Sequence, residues 1–374
     1  MKLAVICRPF SFHGGVETST AGLITALIAR GGYDVELITT AGQFPVPGAT
    51  IRRLPVPAEP SALRQLCFVL AAKRAVEGGS YDLVQSQERC LAQDIYRAGE
   101  GCHRAYLETM GRGGVQVNPQ HQLLLWLERR IFTLKASRHI VAISARGKGE
   151  IERLYGTPPE KVTVVYNGVD LARFHPDNRL RWREEARAGL GIPRDAWVVA
   201  FVGSGFERKG LGPLMEALAT LRHPGIHLLV AGKGRREAYR RLETRLGLHG
   251  AVTWIPPSPA VEWIYAAADT VALPARYEPF GNVHLEALAS GIPVLTTAMT
   301  GGAEVVRDGV NGAVSPSLEP SEIAQGLRAI RDGDAPRLTL AARASAEPFT
   351  YAAQVEGLER IYRLLEPSTT PSPQ

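Results

Sequence analysis

Two glutamates, Glu278 and Glu286, stand on either side of a glycine at position 281 in the run Glu-Pro-Phe-Gly-Asn-Val-His-Leu-Glu. The pattern predicts a loop that carries Glu278 and then a helix that carries Glu286 about two turns along, at about 3.6 residues per turn. Because residues seven or eight apart return to one helix face, both carboxylates could bind hydroxyls of one polyol. The backbone N–H groups of Phe280 to Val283 lie between them, at the positive end of the helix dipole, and suit a phosphate. The spacing fits equally well a solvated loop glutamate and an exposed helix glutamate.

The same stretch resembles the E-x7-E signature of the retaining GT-B glycosyltransferases of family 4. The match extends to Pro279, Phe280 and Gly281 and to a small-residue helix that ends at Gly291-Ile-Pro-Val. The resemblance implies that Glu286 binds ribose hydroxyls and that Glu278 binds a hydroxyl of the donor sugar. It also implies that the backbone of Phe280, Gly281, Asn282 and Val283 holds the donor's phosphate and sugar.

Arg208 and Lys209 lie in a loop that begins with Gly203 after the predicted strand Val198–Val202, and a helix follows them. Adjacent cations at a strand end can hold a diphosphate and stabilise the charge that grows on a leaving nucleotide. The alternative is a pair of exposed surface cations. The pair resembles the Arg/Lys pair of family 4 enzymes, which implies catalysis without a metal ion. Gly232, at the next strand end, allows either close passage of the nucleotide or a plain turn, and Trp254 is either a wall for the base or a core aromatic.

Two segments of the first half also contain candidate site residues. Gly14 and Gly15 follow the first predicted strand and open onto a helix, so backbone can approach an anion closely there; they resemble the family's glycine loop facing the donor phosphates. Glu100 stands between two glycines and is placed on a loop. This loop resembles that of the lipopolysaccharide core glucosyltransferases, which carry a carboxylate proposed to serve the acceptor, although relatives often have Asp there. Asp94 and His103 rank behind Glu100.

Length and composition indicate a globular protein of two domains. The chain has 374 residues, of which 45% are hydrophobic and 21% charged. No stretch approaches the ~18 apolar residues of a transmembrane helix, and the N-terminus leads directly into a predicted strand rather than a signal peptide. Four cysteines lack disulfide or zinc spacing, so we expect reduced thiols and a cytoplasmic protein.

The net charge of +6 is concentrated in residues 97–153, where ten basic residues stand against five acidic ones. Leucines and Trp126 lie beside Arg129 and Arg130 in this segment. Such a helix suits peripheral contact with an anionic membrane, and it equally suits a core helix with solvated arginines. We expect no nucleic-acid partner, since no recognised binding module accompanies the charge.

Twelve short apolar runs alternate with helical patterns, which predicts two doubly wound parallel sheets. The predicted strands are Leu3–Cys7, Val35–Thr39, Ile51–Leu54, Asp82–Gln85, Ile140–Ile143, Val162–Tyr166, Val198–Val202, Ile226–Ala231, Val252–Ile255, Thr270–Leu273, Pro293–Thr296 and Gly312–Ser315. We expect an acceptor-side Rossmann-like domain over residues 1–170 and a nucleotide-sugar-binding one over 180–350, with the break within 167–190. The resemblance implies the GT-B arrangement, in which the domains face each other across a cleft and the helix 352–365 packs back on the first. The tail 366–374 is predicted to be disordered.

The resemblance implies a retaining glycosyltransferase that moves a hexose, expected to be glucose from UDP-glucose, onto a glycolipid or oligosaccharide. The acceptor is expected to be the lipopolysaccharide core at the inner face of the cytoplasmic membrane. An NAD-dependent oxidoreductase or epimerase is an alternative, although no G-x-G-x-x-G follows the first strand. A non-catalytic nucleotide-sugar-binding protein is another, and it predicts UDP binding without hydrolysis or transfer.

Overall fold

The computed structural model describes residues 1–10, 15–57, 62–111, 118–221, 223 and 225–366. The chain forms two compact units. The first contains Met1–Tyr166 and the segment that begins at Tyr351, and the second is Asn167–Thr350. Residues 367–374 of the predicted tail lie outside the described ranges.

The first unit is built on a seven-stranded parallel sheet. Its strands are β1 (Lys2–Ile6), β2 (Asp34–Thr39), β3 (Ala49–Arg53), β4 (Leu83–Ser86), β5 (Ile95–Arg97), β6 (His139–Ala142) and β7 (Val162–Val164). Its first five helices are α1 (Gly15–Arg30), α2 (Ala62–Glu77), α3 (His103–Thr109), α4 (Pro119–Phe132) and α5 (Ala145–Tyr155). The strand order is β3-β2-β1-β4-β5-β6-β7, so the order of winding reverses between β1 and β4.

The second unit has a six-stranded parallel sheet. Its strands are β8 (Trp197–Val202), β9 (Ile226–Ala231), β10 (Val252–Ile255), β11 (Thr270–Leu273), β12 (Val294–Thr297) and β13 (Gly312–Ser315). Its helices are α6 (Asp177–Gly189), α7 (Leu211–Leu221), α8 (Arg236–Arg245), α9 (Val261–Ala267), α10 (Asn282–Ala289), α11 (Pro320–Arg331) and α12 (Ala335–Ala346). The order β10-β9-β8-β11-β12-β13 reverses between β8 and β11.

The expectation of two parallel, doubly wound α/β domains is confirmed. All twelve predicted strands are present, with ends within two residues of those predicted. Their continuous apolar runs reflect burial on both faces: Phe201 and Leu229, on opposite sides of their sheet, are both fully buried. Strand β5 was missed and lies inside a segment that the sequence analysis treats as a loop, because its three residues are too few for a periodic pattern.

The last helix, α13 (Tyr351–Leu365), belongs to the first unit and packs on α1. Val355, Leu358 and Ile361 join the apolar core of that unit. The Tyr362 hydroxyl donates a hydrogen bond to Gln85 of β4 at 2.7 Å. Burial of this apolar face supplies most of the free energy that holds α13 in place.

The charged segment in which the sequence analysis expects the domain break forms α6 of the second unit. Arg179, Arg183 and Arg187 lie one turn apart on α6 and all pair with Asp269, at 2.5, 2.7 and 2.6 Å. Asp269 immediately precedes β11 and also accepts a hydrogen bond from the Val198 N–H. The arginines therefore attach α6 to the sheet. Across the described ranges, no helix combines the length and apolarity needed to span a bilayer.

Candidate functional site

The strongest candidate site of the second unit lies at the carboxyl ends of β8 and β11. Ligands of doubly wound sheets bind where the strand order reverses, outside the carboxyl ends of the strands. The loop after β8 carries Arg208 and Lys209, and the loop after β11 carries Glu278. The Arg276 N–H donates a hydrogen bond to the Arg208 carbonyl at 2.8 Å, so the two loops are joined directly.

Arg208, Lys209 and Glu278 form one ion-paired cluster. Glu278 Oε2 lies 2.9 Å from Arg208 Nη1 and 2.8 Å from Lys209 Nζ, and Arg208 also donates to the Tyr277 carbonyl. Burial disfavours the charged carboxylate, but the positive charges of Lys209 and Arg208 outweigh it and lower the pKa of Glu278 to about 2. Two cations therefore share one ionised carboxylate, and the cluster has a net positive charge that suits an anionic ligand.

Two predicted site glycines allow the loops of this cluster to pack closely. At Gly203, where φ is +142°, a Cβ would come within 2.9 Å of the Lys209 side chain. At Gly232, where φ is +147°, a Cβ would lie 2.1 Å from the Gly203 carbonyl oxygen. Gly203 therefore makes room for the Lys209 stem. Gly232 is required by the protein's own backbone, whether or not a nucleotide passes there.

The turn into α10 is held by His284, which the sequence analysis missed. Gly281, with φ +83°, precedes α10, and Phe280 is fully buried beside it. His284 Nδ1 lies 2.7 Å from the Gly281 carbonyl, which can only accept, so Nδ1 carries the proton; Nε2 lies 2.8 Å from Thr296 Oγ1. Burial lowers the pKa of His284 to about 4. The position of His284 between Glu278 and Glu286 is the sequence feature that could have identified it as a site residue.

Glu286 is the fifth residue of α10, little more than one turn along, so the expectation of two turns is wrong. The helical-phase argument is also wrong, because Glu278 precedes the helix that carries Glu286. The hydroxyl of Tyr265 on α9 donates to Glu286 Oε2 at 2.6 Å. Burial raises the pKa of Glu286, and the hydrogen bond from Tyr265 opposes that rise. No pattern in the sequence indicates Tyr265.

Asn282 and Val283 begin α10, at the positive end of its helix dipole. The side-chain amide of Asn167 donates to Asn282 Oδ1 at 2.5 Å.

Trp254 packs against Phe206, and its indole N–H donates to Glu243 at 2.9 Å. Trp254 is therefore partly buried against the apolar core of the second unit.

In the first unit, Glu100 lies in the turn between β5 and α3 and bridges two arginines. Its carboxylate is 2.6 Å from Arg8 Nη2 and 2.7 Å from Arg89 Nη1. Burial raises the pKa of this carboxyl, but Arg8 and Arg89 outweigh it and lower the pKa to about 2. Arg8 and Arg89 follow β1 and β4, the strands between which the order of this sheet reverses. Neither arginine was predicted from the sequence as a site residue.

The two residues ranked behind Glu100, Asp94 and His103, make other side-chain contacts. Asp94 immediately precedes β5, whereas Glu100 follows it. The Asp94 carboxylate accepts a hydrogen bond from the Val84 N–H at 2.9 Å. His103 begins α3, with Nε2 3.0 Å from Nδ1 of His121, and burial lowers its pKa to about 4. Gly14 lies outside the described residues, and Gly15 is the first residue of α1.

Two family models match the chain. The model described as Glycosyltransferase Family 4 matches residues 13–173, and the one described as Glycosyl transferases group 1 matches residues 183–346. A D-inositol 3-phosphate glycosyltransferase of Mycolicibacterium paratuberculosis is 32% identical over 96% of this chain and 89% of its own length. A relative of the same name from Thermomonospora curvata is 36% identical over 60% of this chain, and the match spans only 56% of that relative.

Solved structures show the same fold. WaaG, a glycosyltransferase involved in lipopolysaccharide biosynthesis, superimposes with a TM-score of 0.81 at 23% identity, covering 100% of both chains. Anabaena Alr3699/HepE, solved in complex with UDP-glucose, superimposes with a TM-score of 0.74 at 20% identity, covering 97% of this chain and 100% of its own.

Proposed function

We propose a sugar transfer reaction for this chain, which belongs to the group 1 and family 4 glycosyltransferases. The donor is a nucleoside diphosphate hexose, and the acceptor supplies a hydroxyl group. The observation that carries the proposal is the contact of Glu278 with Arg208 and Lys209 where the strand order of the second sheet reverses. We do not propose a dinucleotide-dependent oxidoreductase, because the two family models that match this chain both describe glycosyltransferases.

Donor binding exchanges the partners of this cluster. Arg208 and Lys209 turn from Glu278 to the diphosphate, and Glu278 accepts a hydrogen bond from a hydroxyl of the sugar. Glu286, held by Tyr265, accepts from the ribose hydroxyls. The first turn of α10 presents N–H groups to a phosphate. Each residue then binds a part of the donor that matches its charge.

The reaction proceeds with retention, on one face of the sugar. The bond between the anomeric carbon and the diphosphate oxygen breaks, and the acceptor oxygen bonds to that carbon on the same face. The acceptor's proton passes to the departing diphosphate. Arg208 and Lys209 stabilise the negative charge that grows on that group, and this electrostatic contribution is usually the largest in such catalysis. Because two fixed cations supply this charge, we propose that no metal ion is needed.

UDP-glucose is the proposed donor, supported by the complex of the Anabaena neighbour. The acceptor has two candidates. The fold neighbour WaaG supports a glycan of the lipopolysaccharide core, and the relative from Mycolicibacterium paratuberculosis supports a phosphorylated inositol. Both candidate acceptors present hydroxyl groups on a ring, and the phosphorylated inositol carries the additional negative charge of its phosphate.

Peripheral contact with the inner face of the cytoplasmic membrane is proposed for a glycolipid acceptor. On α4, Trp126 is 46% exposed and the Arg130 guanidinium lies 5.1 Å from its ring centroid. On α2, Leu63, Leu66 and Leu70 are exposed on one helix face. Exposed apolar side chains beside cations favour an anionic lipid surface. Cosedimentation with phosphatidylglycerol vesicles but not with phosphatidylcholine vesicles would support this contact, and equal recovery with both would contradict it.

The donor assignment is tested by measuring nucleoside diphosphate release in EDTA from UDP-glucose, UDP-galactose, UDP-N-acetylglucosamine and GDP-mannose. We expect one donor to be hydrolysed slowly in the absence of acceptor. Lys209→Ala should reduce this hydrolysis by about 10² or more, whereas Arg241→Ala, an exposed cation on α8, should not. Binding of UDP without hydrolysis or transfer would favour a non-catalytic nucleotide-sugar-binding protein.

A further inference from the structure

A cavity of about 280 Å³ lies in the first unit, beyond the carboxyl ends of β1, β2 and β4. Its lining includes Arg8, Thr40, Arg64, Phe68, Glu88 and Gln120. These residues come from three strand ends and from α2 and α4, so the cavity is built by separate elements. Its volume is near the lower limit of about 300 Å³ for small-molecule sites and suits a single ring.

Arg8, which lines this cavity, is already ion-paired within the protein. Arg8 Nε and Nη2 lie 2.7 and 2.9 Å from the two carboxylate oxygens of Glu88. The same Nη2 lies 2.6 Å from Glu100. The side chain of Glu88 is only 12% exposed. In this bidentate pair Glu88 is mostly buried and the Arg8 side chain is 38% exposed, and a ligand of Arg8 would have to break the pair.

The charges around the cavity balance. Arg8, Arg64 and Arg89 contribute three positive charges, and Glu88, Glu100 and the buried Glu128, which pairs with Arg89, contribute three negative ones. A phosphate monoester would bring a further negative charge of about 1.5 to 2 close to those carboxylates. Repulsion from these carboxylates opposes the binding of that added charge, and it is stronger at a partly buried site than in bulk water.

An uncharged hydroxyl-rich ring meets no such repulsion. Its hydroxyls can donate to the remaining lone pairs of Glu88 and accept from the amide of Gln120 and the guanidinium of Arg64. Phe68 offers apolar surface to the C–H groups of a ring. The mixture of donors, acceptors and one aromatic ring is therefore complementary to a sugar or a cyclic polyol.

We propose that this cavity binds an uncharged monosaccharide or cyclic polyol ring of the acceptor and discriminates against a phosphate monoester on that ring. The inference rests on the proposed function for the presence of an acceptor, and it names the acceptor's class. It separates this chain from relatives named for D-inositol 3-phosphate. Glu88 is the residue that sets the discrimination, because its carboxylate neutralises Arg8.

The test compares matched pairs of probes on the full chain: D-glucose with D-glucose 6-phosphate, and myo-inositol with D-inositol 3-phosphate. The ¹⁵Nε resonance of the Arg8 side chain, assigned with Arg8→Lys, reports binding in the cavity. We expect the uncharged member to shift this resonance with a Kd about tenfold or more below that of its phosphate ester. Glu88→Gln should bring the two Kd values together, whereas Glu77→Gln, an exposed carboxylate on α2, should leave their ratio unchanged.

The proposal is overturned if the phosphate ester binds as tightly as the uncharged ring, or if neither probe shifts the Arg8 resonance. The wild-type comparison decides this even if Glu88→Gln does not fold. UDP titration of the same sample monitors the second unit separately. If the uncharged ring binds but UDP does not, the proposed function is contradicted and the cavity assignment stands. If UDP binds but the phosphate ester is preferred in the cavity, the cavity assignment is contradicted and the proposed function stands.

Discussion

The hydroxyl of Tyr265 on α9 donates a hydrogen bond to Glu286 Oε2 on α10 across 2.6 Å. Tyr265 is fully buried, and burial raises the pKa of Glu286 above its ordinary value. The hydrogen bond stabilises the ionised carboxylate and fixes its orientation. Tyr265 therefore acts as a positioning residue for the carboxylate proposed to bind ribose.

Tyr265→Phe is expected to weaken UDP binding about tenfold, because a hydrogen bond to a charged group contributes about 1.5–3 kcal/mol. Without the hydroxyl the already raised pKa of Glu286 rises further, so the carboxylate protonates sooner as the pH falls. The loss of affinity should therefore be larger at pH 6 than at pH 8, as measured by calorimetry. Tyr81→Phe removes a similar bond, to Glu36 in the first unit, and should bind UDP normally. Equal, pH-independent affinities in Tyr265→Phe and wild type would contradict the positioning role.

Glu278→Gln should separate sugar recognition from diphosphate binding. The substitution removes the counter-ion of Arg208 and Lys209, so UDP should bind at least as tightly as to wild type. Transfer should fall by about 10² or more, since the proposed ligand of the sugar hydroxyl is lost. Calorimetry with UDP and a transfer assay on the same preparation check this. A parallel loss of both would show that Glu278 maintains the site rather than binds the sugar.

The stability of the second unit is expected to fall as the pH is lowered from about 6.5 towards 4. The folded pKa of His284 is about 4, below the ordinary value of 6.5. The unfolded chain therefore takes up a proton in this range that the folded protein does not, and unfolding is favoured. Thermal unfolding at pH 7 and pH 5 measures the effect. His284→Gln should reduce the pH dependence, and His249→Gln, an exposed histidine, should not; identical slopes in all three proteins would refute the assignment.

Glu100→Gln should impair transfer without affecting the donor. The variant weakens the bridge between Arg8 and Arg89, and with it the arrangement of the cluster in the first unit. We expect the acceptor KM to rise or kcat to fall by about tenfold or more, with UDP affinity unchanged. Glu108→Gln, an exposed carboxylate on α3, is the matched control. A change in UDP affinity would argue against an acceptor-side role for Glu100.

Single-sequence patterns located twelve of the thirteen strands in the described ranges, because most of these strands are buried on both faces and read as apolar runs. They located Arg208, Lys209 and Glu278 at strand ends, but not the ion pairs among them, since Glu278 is 70 residues from Arg208. Arg8 and Glu88 are 80 residues apart, and only the reversal of strand order between β1 and β4 brings them together. Tertiary contacts of this kind leave no periodic signal in one sequence.

The most direct test of the donor site is calorimetric titration of UDP in EDTA into wild type, Glu286→Ala and Glu185→Ala, the last an exposed carboxylate on α6. We expect metal-independent binding to wild type, the same affinity in Glu185→Ala, and a loss of affinity of about tenfold or more in Glu286→Ala. Absence of UDP binding in EDTA, or unchanged affinity in Glu286→Ala, would contradict the assignment of the glutamates to the donor.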